Sequence, residues 1–310
     1  MILRQLNRLD YDALSLSFSQ AFDYQGFSYS SSHAYLEQKY HAYIIGDNLP
    51  TWSLISDTQE IACSYSVLAV PYLKNGIVKN VGLVCDVLTK PNHQKMGLFQ
   101  YLGEEVKVFL SQEGIDYTIG FPVRDSITAQ HLKVGWEHLF DMNLWATPSF
   151  SLKSHSKLVE TSNLNDEFDF TKIKIGSSEN LEISSSAFRS RFTRIDCLYK
   201  VLRVINSNQF AIVREAKVGK VRFLAIIHIQ FDELDVGKLI MSSIMNLALK
   251  NGLFAVMGCW NESYARELQL KKLGLVKTSR VQNFIAREIN SPILRNDSEY
   301  RLSWLDTDTL

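Results

Sequence analysis

The stretch Val81–Phe99 reads VGLVCDVLTKPNHQKMGLF, and it is the part of the chain that says most about the fold. Its first part, Val81–Leu88, is an apolar run too short and too rich in β-branched residues for a helix. Such a run, bounded by turn residues, predicts a buried strand. A turn follows at Thr89–His93, and a helical pattern begins at Leu98. The sequence therefore predicts a strand, a turn and a helix in immediate succession.

A helix that begins directly after such a turn offers a binding site for an anion. The N–H groups of its first turn have no partner within the helix, and the helix dipole adds positive potential. Gly97 would let the backbone approach a bulky ligand closely. Hydrogen-bond donors or positive charges lie nearby at Lys90, His93 and Lys95. A strand–turn–helix without any ligand would have the same outline, so the pattern alone leaves both alternatives open.

The series strand, Pro91, Gln94-x-x-Gly97 and helix resembles the pyrophosphate loop of the GCN5-related N-acetyltransferases. That family has Arg or Gln, two residues, Gly, one residue, and then Gly or Ala. This chain departs at the last position, which is Phe99. The resemblance implies acetyl-CoA or a longer acyl-CoA as the co-substrate. The residues it implies for CoA binding are Val87, Thr89, Gln94, Lys95, Met96, Gly97, Leu98, Phe99 and Ser126.

The resemblance extends from about Met1 to Phe150 and is most specific up to Trp136. After the loop come a predicted helix, a short buried strand, a second helix and a Lys-x-Gly-aromatic ending. Their ranges are Leu98–Leu110, Asp116–Pro122, Ser126–Val134 and Lys133–Trp136. In the family, two parallel strands part to form a V-shaped opening that admits the pantetheine arm of CoA. Here the resemblance places that opening near Val84–Thr89 and Tyr117–Phe121.

The second half of the chain repeats features of the first. Glycines recur at similar spacing, at Gly97, Gly120 and Gly135 and then at Gly237, Gly258 and Gly274. Such agreement predicts two copies of one unit, although helix-ending glycines are common enough to agree by chance. The expected organisation is a first domain at 1–150, a Ser-rich linker at 151–166 and a second domain at 167–310. The fold class is then α/β with a mixed sheet, built from tandem acetyltransferase-like domains.

The turn before Gly237 differs from the first copy in its charge. Three carboxylates occupy it, those of Asp232, Glu233 and Asp235. Because like charge opposes a pyrophosphate, we expect the second copy to be degenerate. It would complete the acceptor pocket or pack a homodimer.

Candidate catalytic residues follow from the resemblance. The family often has a carboxylate base on the strand before the loop, and that position is Cys85, with Asp86 beside it. Strand alternation puts these two on opposite faces unless a bulge intervenes. Asp86 is then the base or a hydrogen-bonding strand-end residue, and Cys85 a nucleophile or a small buried hydrophobe. The family's acid, a tyrosine four residues before the glycine, corresponds to His131, which could serve as acid or base.

Composition limits the classes of partner. The 33 Lys and Arg residues balance 33 Asp and Glu, so no overall field favours nucleic acid or an anionic membrane. No run approaches the roughly 18 apolar residues of a membrane span, and the first residues lack the apolar core of a signal peptide. The four cysteines, Cys63, Cys85, Cys197 and Cys259, lack metal-ligand spacing. They predict reduced thiols in a cytoplasmic protein without a bound metal.

These observations favour an acyl-CoA-dependent N-acyltransferase with a small amine acceptor. The tandem layout is similar to bacterial enzymes that acylate nucleotide-linked 3-amino-3,6-dideoxyhexoses for surface polysaccharides such as O-antigen. One alternative is an aminoacyl transferase to a peptidoglycan precursor, which needs a basic element for tRNA. Another is a binding module in which both copies have lost activity.

Overall fold

The computed structural model describes residues 1–22, 33–122, 124–149, 158–164, 180–184, 187, 192, 198–218 and 220–307. The first half contains strands β1 (Ile2–Asn7), β2 (Asn48–Ile55), β3 (Ile61–Lys74), β4 (Ile77–Thr89), β5 (Tyr117–Gly120) and β6 (Glu137–Pro148). Its helices are α1 (Tyr11–Phe22), α2 (His33–His41), α3 (Leu98–Gln112) and α4 (Asp125–Leu132).

The second half adds strands β7 (Val159–Asn163), β8 (Glu182–Ile183), β9 (Tyr199–Val204), β10 (Phe210–Val218), β11 (Val221–Gln230), β12 (Ala255–Trp260) and β13 (Val276–Glu288). Its helices in the described residues are α5 (Leu234–Lys250) and α6 (Glu262–Glu267). The residues of β7 fall within the predicted linker. In the structure they form a strand that extends the sheet beside β9. Residues 151–157 and 165–166 of that linker lie outside the described residues.

All of these strands belong to one mixed sheet with the order β1-β2-β3-β4-β5-β13-β6-β12-β11-β10-β9-β7, and β8 pairs with β3. Two neighbouring pairs are parallel, β4 with β5 and β11 with β12. The other pairs in the described residues are antiparallel. The predicted mixed-sheet α/β class is confirmed.

The two halves of the chain exchange their last strands at the centre of this sheet. β13 pairs with β5, where Ile285 faces Gly120. β6 pairs with β12, where Trp145 faces Gly258. β6 and β13 also pair with each other, so hydrogen bonds run through the sheet from one half to the other. The division into two domains stays a prediction, and the sheet itself has no break at it.

Helices cover both faces of the sheet. α1 and α2 pack their buried residues, including Leu14, Phe18 and Leu36, on one face. α3 packs on the opposite face through Leu102, Val106 and Leu110, which recur every four residues as expected of an amphipathic helix. Burying each of these three side chains contributes about 2 kcal/mol. Among the described residues, no helix is long and apolar enough to cross a membrane.

Candidate functional site

The loop between β4 and α3 has an unusual backbone. A short 3₁₀ turn at Pro91–His93 follows the strand, and the chain then takes positive φ values at Lys95 (64°) and Gly97 (74°). Gly97 is the N-cap of α3. The Gln94 side chain donates to the Thr89 carbonyl oxygen at 3.3 Å and so closes the loop on itself.

This loop contains consecutive backbone N–H groups that have no acceptor among the described residues. Tyr101 N–H, the first of α3 with a helical partner, bonds the Gly97 carbonyl oxygen at 3.1 Å. Within the described part of the chain, the backbone N–H groups of Lys95 through Gln100 have no acceptor. Residues 94–97 are exposed, and a Cβ added at Gly97 would meet no atom within 4 Å. The loop therefore fits a pyrophosphate, which needs several converging donors and a close backbone approach.

β4 and β5 part next to this loop. Their pairing runs from Val81 opposite Tyr117 to Val84 opposite Gly120 and ends there. β4 continues to Thr89 against β3 alone. An opening thus forms between the two strands, as the resemblance implied.

A β-bulge lies on the β4 side of that opening. Ser64 faces Leu88 and Ser66 faces Cys85, so Tyr65 of β3 is opposite both Asp86 and Val87. Asp86 takes the left-handed conformation, with φ 48°. The bulge shifts the alternation of side chains, and Cys85 and Asp86 both turn toward the face that α1 and α2 cover. Val87 is the second residue of the bulge and lies beyond Val84, the last residue of β4 that pairs with β5.

Asp86 is buried and bonded to α2. Its Oδ2 lies 2.6 Å from Lys39 Nζ and accepts the Tyr40 hydroxyl at 2.7 Å. The Tyr40 hydroxyl is also 3.1 Å from Ser66 Oγ, which lies 2.8 Å from Thr51 Oγ1. Burial, reinforced by the charge of Asp86, raises the pKa of Tyr40 well above its ordinary value, so this hydroxyl stays a donor.

His131 lies on the other face of the sheet. Its ring contacts Phe99 and Trp136 edge to face, at centroid distances of 4.9 and 5.1 Å. Nδ1 is 3.0 Å from the Ile127 carbonyl oxygen, which can only accept, so Nδ1 carries the hydrogen. Burial lowers the pKa of His131, and the neutral ring leaves Nε2 as an acceptor. The structure therefore does not bring His131 and Asp86 together.

Three further predicted residues lie at the protein surface, and one nearby lysine is buried. Lys95, Met96 and Ser126 are exposed. Ser126 is inside α4, whose N-cap is Arg124 without a side-chain cap, so neither Ser126 nor Asp125 caps the helix. Lys90 is buried, with its ammonium 3.7 Å from Glu60.

No protein-family model and no curated protein matches the chain. Solved structures do. A GCN5-related N-acetyltransferase from Anabaena variabilis matches with a TM-score of 0.69 and 12% identity, over 93% of this chain and 73% of that one. One from Kribbella flavida matches with a TM-score of 0.67 and 10% identity, over 93% and 71%. Eis1 from Mycobacterium abscessus matches with a TM-score of 0.61 and 9% identity, over 94% of this chain and 74% of that one. The chain has the fold of the GCN5-related N-acetyltransferases.

The second half lacks the loop of the acetyltransferase fold. Only Phe231–Glu233 separate β11 from α5, and Gly237 lies inside that helix with its N–H bonded to the Glu233 carbonyl oxygen at 3.0 Å. A Cβ at Gly237 would lie 2.9 Å from the Phe231 ring. Gly237 is thus a packing glycine, and its predicted correspondence to Gly97 is wrong. Gly120 and Gly258 do correspond, because each closes a parallel ladder, opposite Val84 and Ile226.

The chain's own C-terminal segment fills the opening between β11 and β12. Ser303 forms a bridge with Trp260, and its hydroxyl donates to the Ile227 carbonyl oxygen at 3.3 Å. Leu302 N–H donates to the Asn261 side chain at 2.9 Å. The second opening of this acetyltransferase fold is therefore closed by protein.

Sequence reasoning missed Lys39, Ser66 and Thr51 as members of the site. Tyr40, the neighbour of Lys39 on α2, was not predicted as a site residue either. Nothing local in the sequence marks Lys39 as the partner of Asp86, because the contact joins a helix to a strand 47 residues later.

Proposed function

We propose that the chain is an acyl-CoA-dependent N-acyltransferase that uses the first-half opening. The observation that carries the proposal is the run of N–H groups from Lys95 to Gln100, which have no acceptor among the residues that the structure describes, beside the point where β4 and β5 separate. A loop with these donors holds the pyrophosphate, and the opening next to it admits an extended arm. Acetyl-CoA or a longer acyl-CoA supplies the activated acyl group when bound.

Different residues would then bind different parts of the acyl-CoA. Backbone groups of Lys95, Met96, Gly97, Leu98 and Phe99 would hold the pyrophosphate. Gln94 keeps the loop closed through its bond to Thr89. Ser126, exposed on α4, would bond the pantetheine arm. Cys85, buried among apolar residues, would act as a small hydrophobe.

The chemical step needs a donor for the developing oxyanion and a group that takes the proton of the amine. The N–H of Val87, in the bulge, would face the thioester oxygen, and a preorganised donor of this kind contributes about 3 kcal/mol. Nε2 of His131 would accept a proton, directly or through water, because the ring is neutral. Asp86 is the other candidate for this base.

The acceptor we propose is the amine of a nucleotide-linked 3-amino-3,6-dideoxyhexose, acylated in the cytoplasm for a surface polysaccharide. Support for this narrower proposal is the tandem layout predicted from the sequence. The second half, with its own opening closed, would shape the acceptor pocket from one side. Phe284 of β13 packs in the core against Phe121, the residue after β5, with ring centroids 5.2 Å apart, so the second half contacts the strand that flanks the opening.

The test is calorimetric titration of the purified chain with acetyl-CoA and with longer acyl-CoAs, without an acceptor. We expect saturable binding of one equivalent per chain. Release of CoA in the presence of amino-sugar nucleotides and of simple amines then ranks the acceptors. Absence of any binding would overturn the proposal in favour of a non-catalytic module. Turnover with aminoacyl-tRNA alone would overturn it in favour of an aminoacyl transferase.

A further inference from the structure

We infer that Asp86 and Lys39 form a positioning pair that holds the β4 bulge in shape, and that Asp86 is not the catalytic base. The inference rests on the proposed acyl transfer and assigns a role within it. Through the bulge, the pair fixes the direction of the Val87 N–H. Lys39 becomes a residue on which the rate depends although it does not touch the substrate.

Burial and geometry give the first argument. The side chains of Lys39 and Asp86 are 7% and 1% exposed, and their charged atoms are 2.6 Å apart. Oδ2 accepts from both Lys39 and Tyr40, which uses its two lone-pair positions. Because the whole Asp86 side chain, Oδ1 included, is only 1% exposed, an amine of the acceptor cannot reach this carboxylate. Asp86 therefore lacks the access that a base must have.

The backbone gives the second argument. Asp86 has a φ of 48°, a conformation that most side chains disfavour and that Asp and Asn tolerate. Such strain persists only where surrounding contacts hold it. Among the described residues, α2 supplies such contacts, because Lys39 and Tyr40 are neighbours on that helix and both bond Asp86. The pair thus ties the helix to the residue of β4 that has a positive φ.

The consequence concerns Val87. As the second residue of the bulge, directly after Asp86, it owes the direction of its N–H to the conformation at Asp86. An oxyanion donor must lie about 3 Å from the developing charge, and small misplacement sharply lowers the rate. Loss of the pair should therefore reduce the rate while the pyrophosphate loop, which starts several residues later, still binds acyl-CoA.

The experiment compares Lys39→Met, Asp86→Asn and the double variant with the wild type. The readouts are kcat and KM for acetyl-CoA hydrolysis, followed as free CoA by chromatography, and the calorimetric Kd of acetyl-CoA. In this reaction water adds to the acetyl carbon, the C–S bond breaks, and the sulfur ends as the thiol after taking up a proton, leaving acetate. We expect each single variant to lose at least about 10-fold in kcat, with KM and Kd changed less than about 3-fold.

The double variant separates positioning from base catalysis. It buries no unpaired charge, and Asn keeps both the left-handed conformation and an acceptor for Tyr40, so we expect most of the wild-type kcat to return. Replacing Asp86 by Val in the Lys39→Met background keeps the same charge but opposes the conformation. That variant should stay slow, which tests the bulge itself.

The matched control is Lys238→Met, which breaks an exposed Lys–Asp pair of 2.8 Å on α5 and should change nothing. A double variant as inactive as Asp86→Asn, in an otherwise active enzyme, would overturn the inference and leave the proposed function standing. A wild-type chain that neither binds nor hydrolyses acetyl-CoA would overturn the proposed function and this inference with it.

Discussion

Arg287 of the last strand donates from Nη1 to the backbone carbonyl oxygen of Gly103 in α3, 3.1 Å away. Its Nη2 lies 2.8 Å from Glu104 Oε2, and the arginine side chain is only 6% exposed. The contact joins the second half of the chain to α3, the helix that follows the candidate loop at Gln94–Gly97. Through Arg287 the second half therefore helps to hold α3 in place beside the candidate site.

We expect Arg287→Met to lower the free energy of unfolding by about 2 kcal/mol, the usual value of a buried hydrogen bond from a charged donor. Urea unfolding followed by circular dichroism measures it. The control is Arg295→Met, which removes an exposed guanidinium paired with Glu137 and Glu288. A loss no larger than that of the control would mean that Arg287 contributes little to the hold on α3.

Two glycines that flank α3, Gly97 and Gly114, offer a matched test of the loop. Gly97 and Gly114 both have φ 74°, and neither would have an atom within 4 Å of an added Cβ. Gly97→Glu and Gly114→Glu therefore carry the same backbone strain and the same charge. We expect only Gly97→Glu to abolish acetyl-CoA binding in calorimetry, because its carboxylate meets the pyrophosphate. Equal affinities for the two variants would remove the loop from the site.

His131→Phe should reduce the kcat of acyl transfer about 100-fold, as for a lost general base, with little change in acetyl-CoA affinity. The pKa of His131 is lowered below 6.5 by burial, so the working form is the neutral ring. The wild-type rate should thus be constant through neutral pH and fall only on the acid side of about 6.5. A rate that instead falls as the pH rises through 7 would make His131 the acid. His138→Phe, at an exposed position of β6, is the control.

His228 on β11 predicts a pH dependence of stability. Burial lowers its pKa to about 4, whereas the unfolded chain takes up the proton near 6.5. The unfolded state therefore binds more protons between these values, and stability, complete above pH 6.5, is lost as the pH falls toward 4. From pH 7 to pH 5 this loss amounts to about 2 kcal/mol. The difference in unfolding free energy between those pH values should shrink by this amount in His228→Phe, and an unchanged difference would contradict the assignment.

The strand–turn–helix of Val81–Phe99 could be predicted because each part has a local signal. An apolar run, a proline turn and helical periodicity all lie within 19 residues, and the structure places β4, the turn and α3 there. The opening beside Gly120 was expected from the family resemblance and not from a local signal, and the closed opening beside Gly258 was not predicted. The predicted CoA-binding and catalytic roles stay predictions until binding is measured.

The positions of β6 and β13 at the centre of the sheet could not be predicted from the local sequence. β13 is polar along much of Val276–Glu288, and β6 mixes charged and aromatic residues, so neither has the pattern of a core strand. Their place in the sheet comes from partners in the opposite half of the chain. Spacing also cannot tell a glycine of a turn from one packed under a ring, which is why Gly237 was misassigned. Likewise, Lys39 meets Asp86 only after the chain has folded.

The exchange of β6 and β13 also sets the order in which the sheet can be completed during synthesis. β5 leaves the ribosome early, yet its second neighbour is β13, which is made only when most of the chain already exists. Until then, unpaired edges lie open at β5 and β6, and a neighbouring nascent chain can supply the missing strand. The candidate site is thus among the last parts to close. A product truncated before Val276 would join other chains instead of forming an isolated first half.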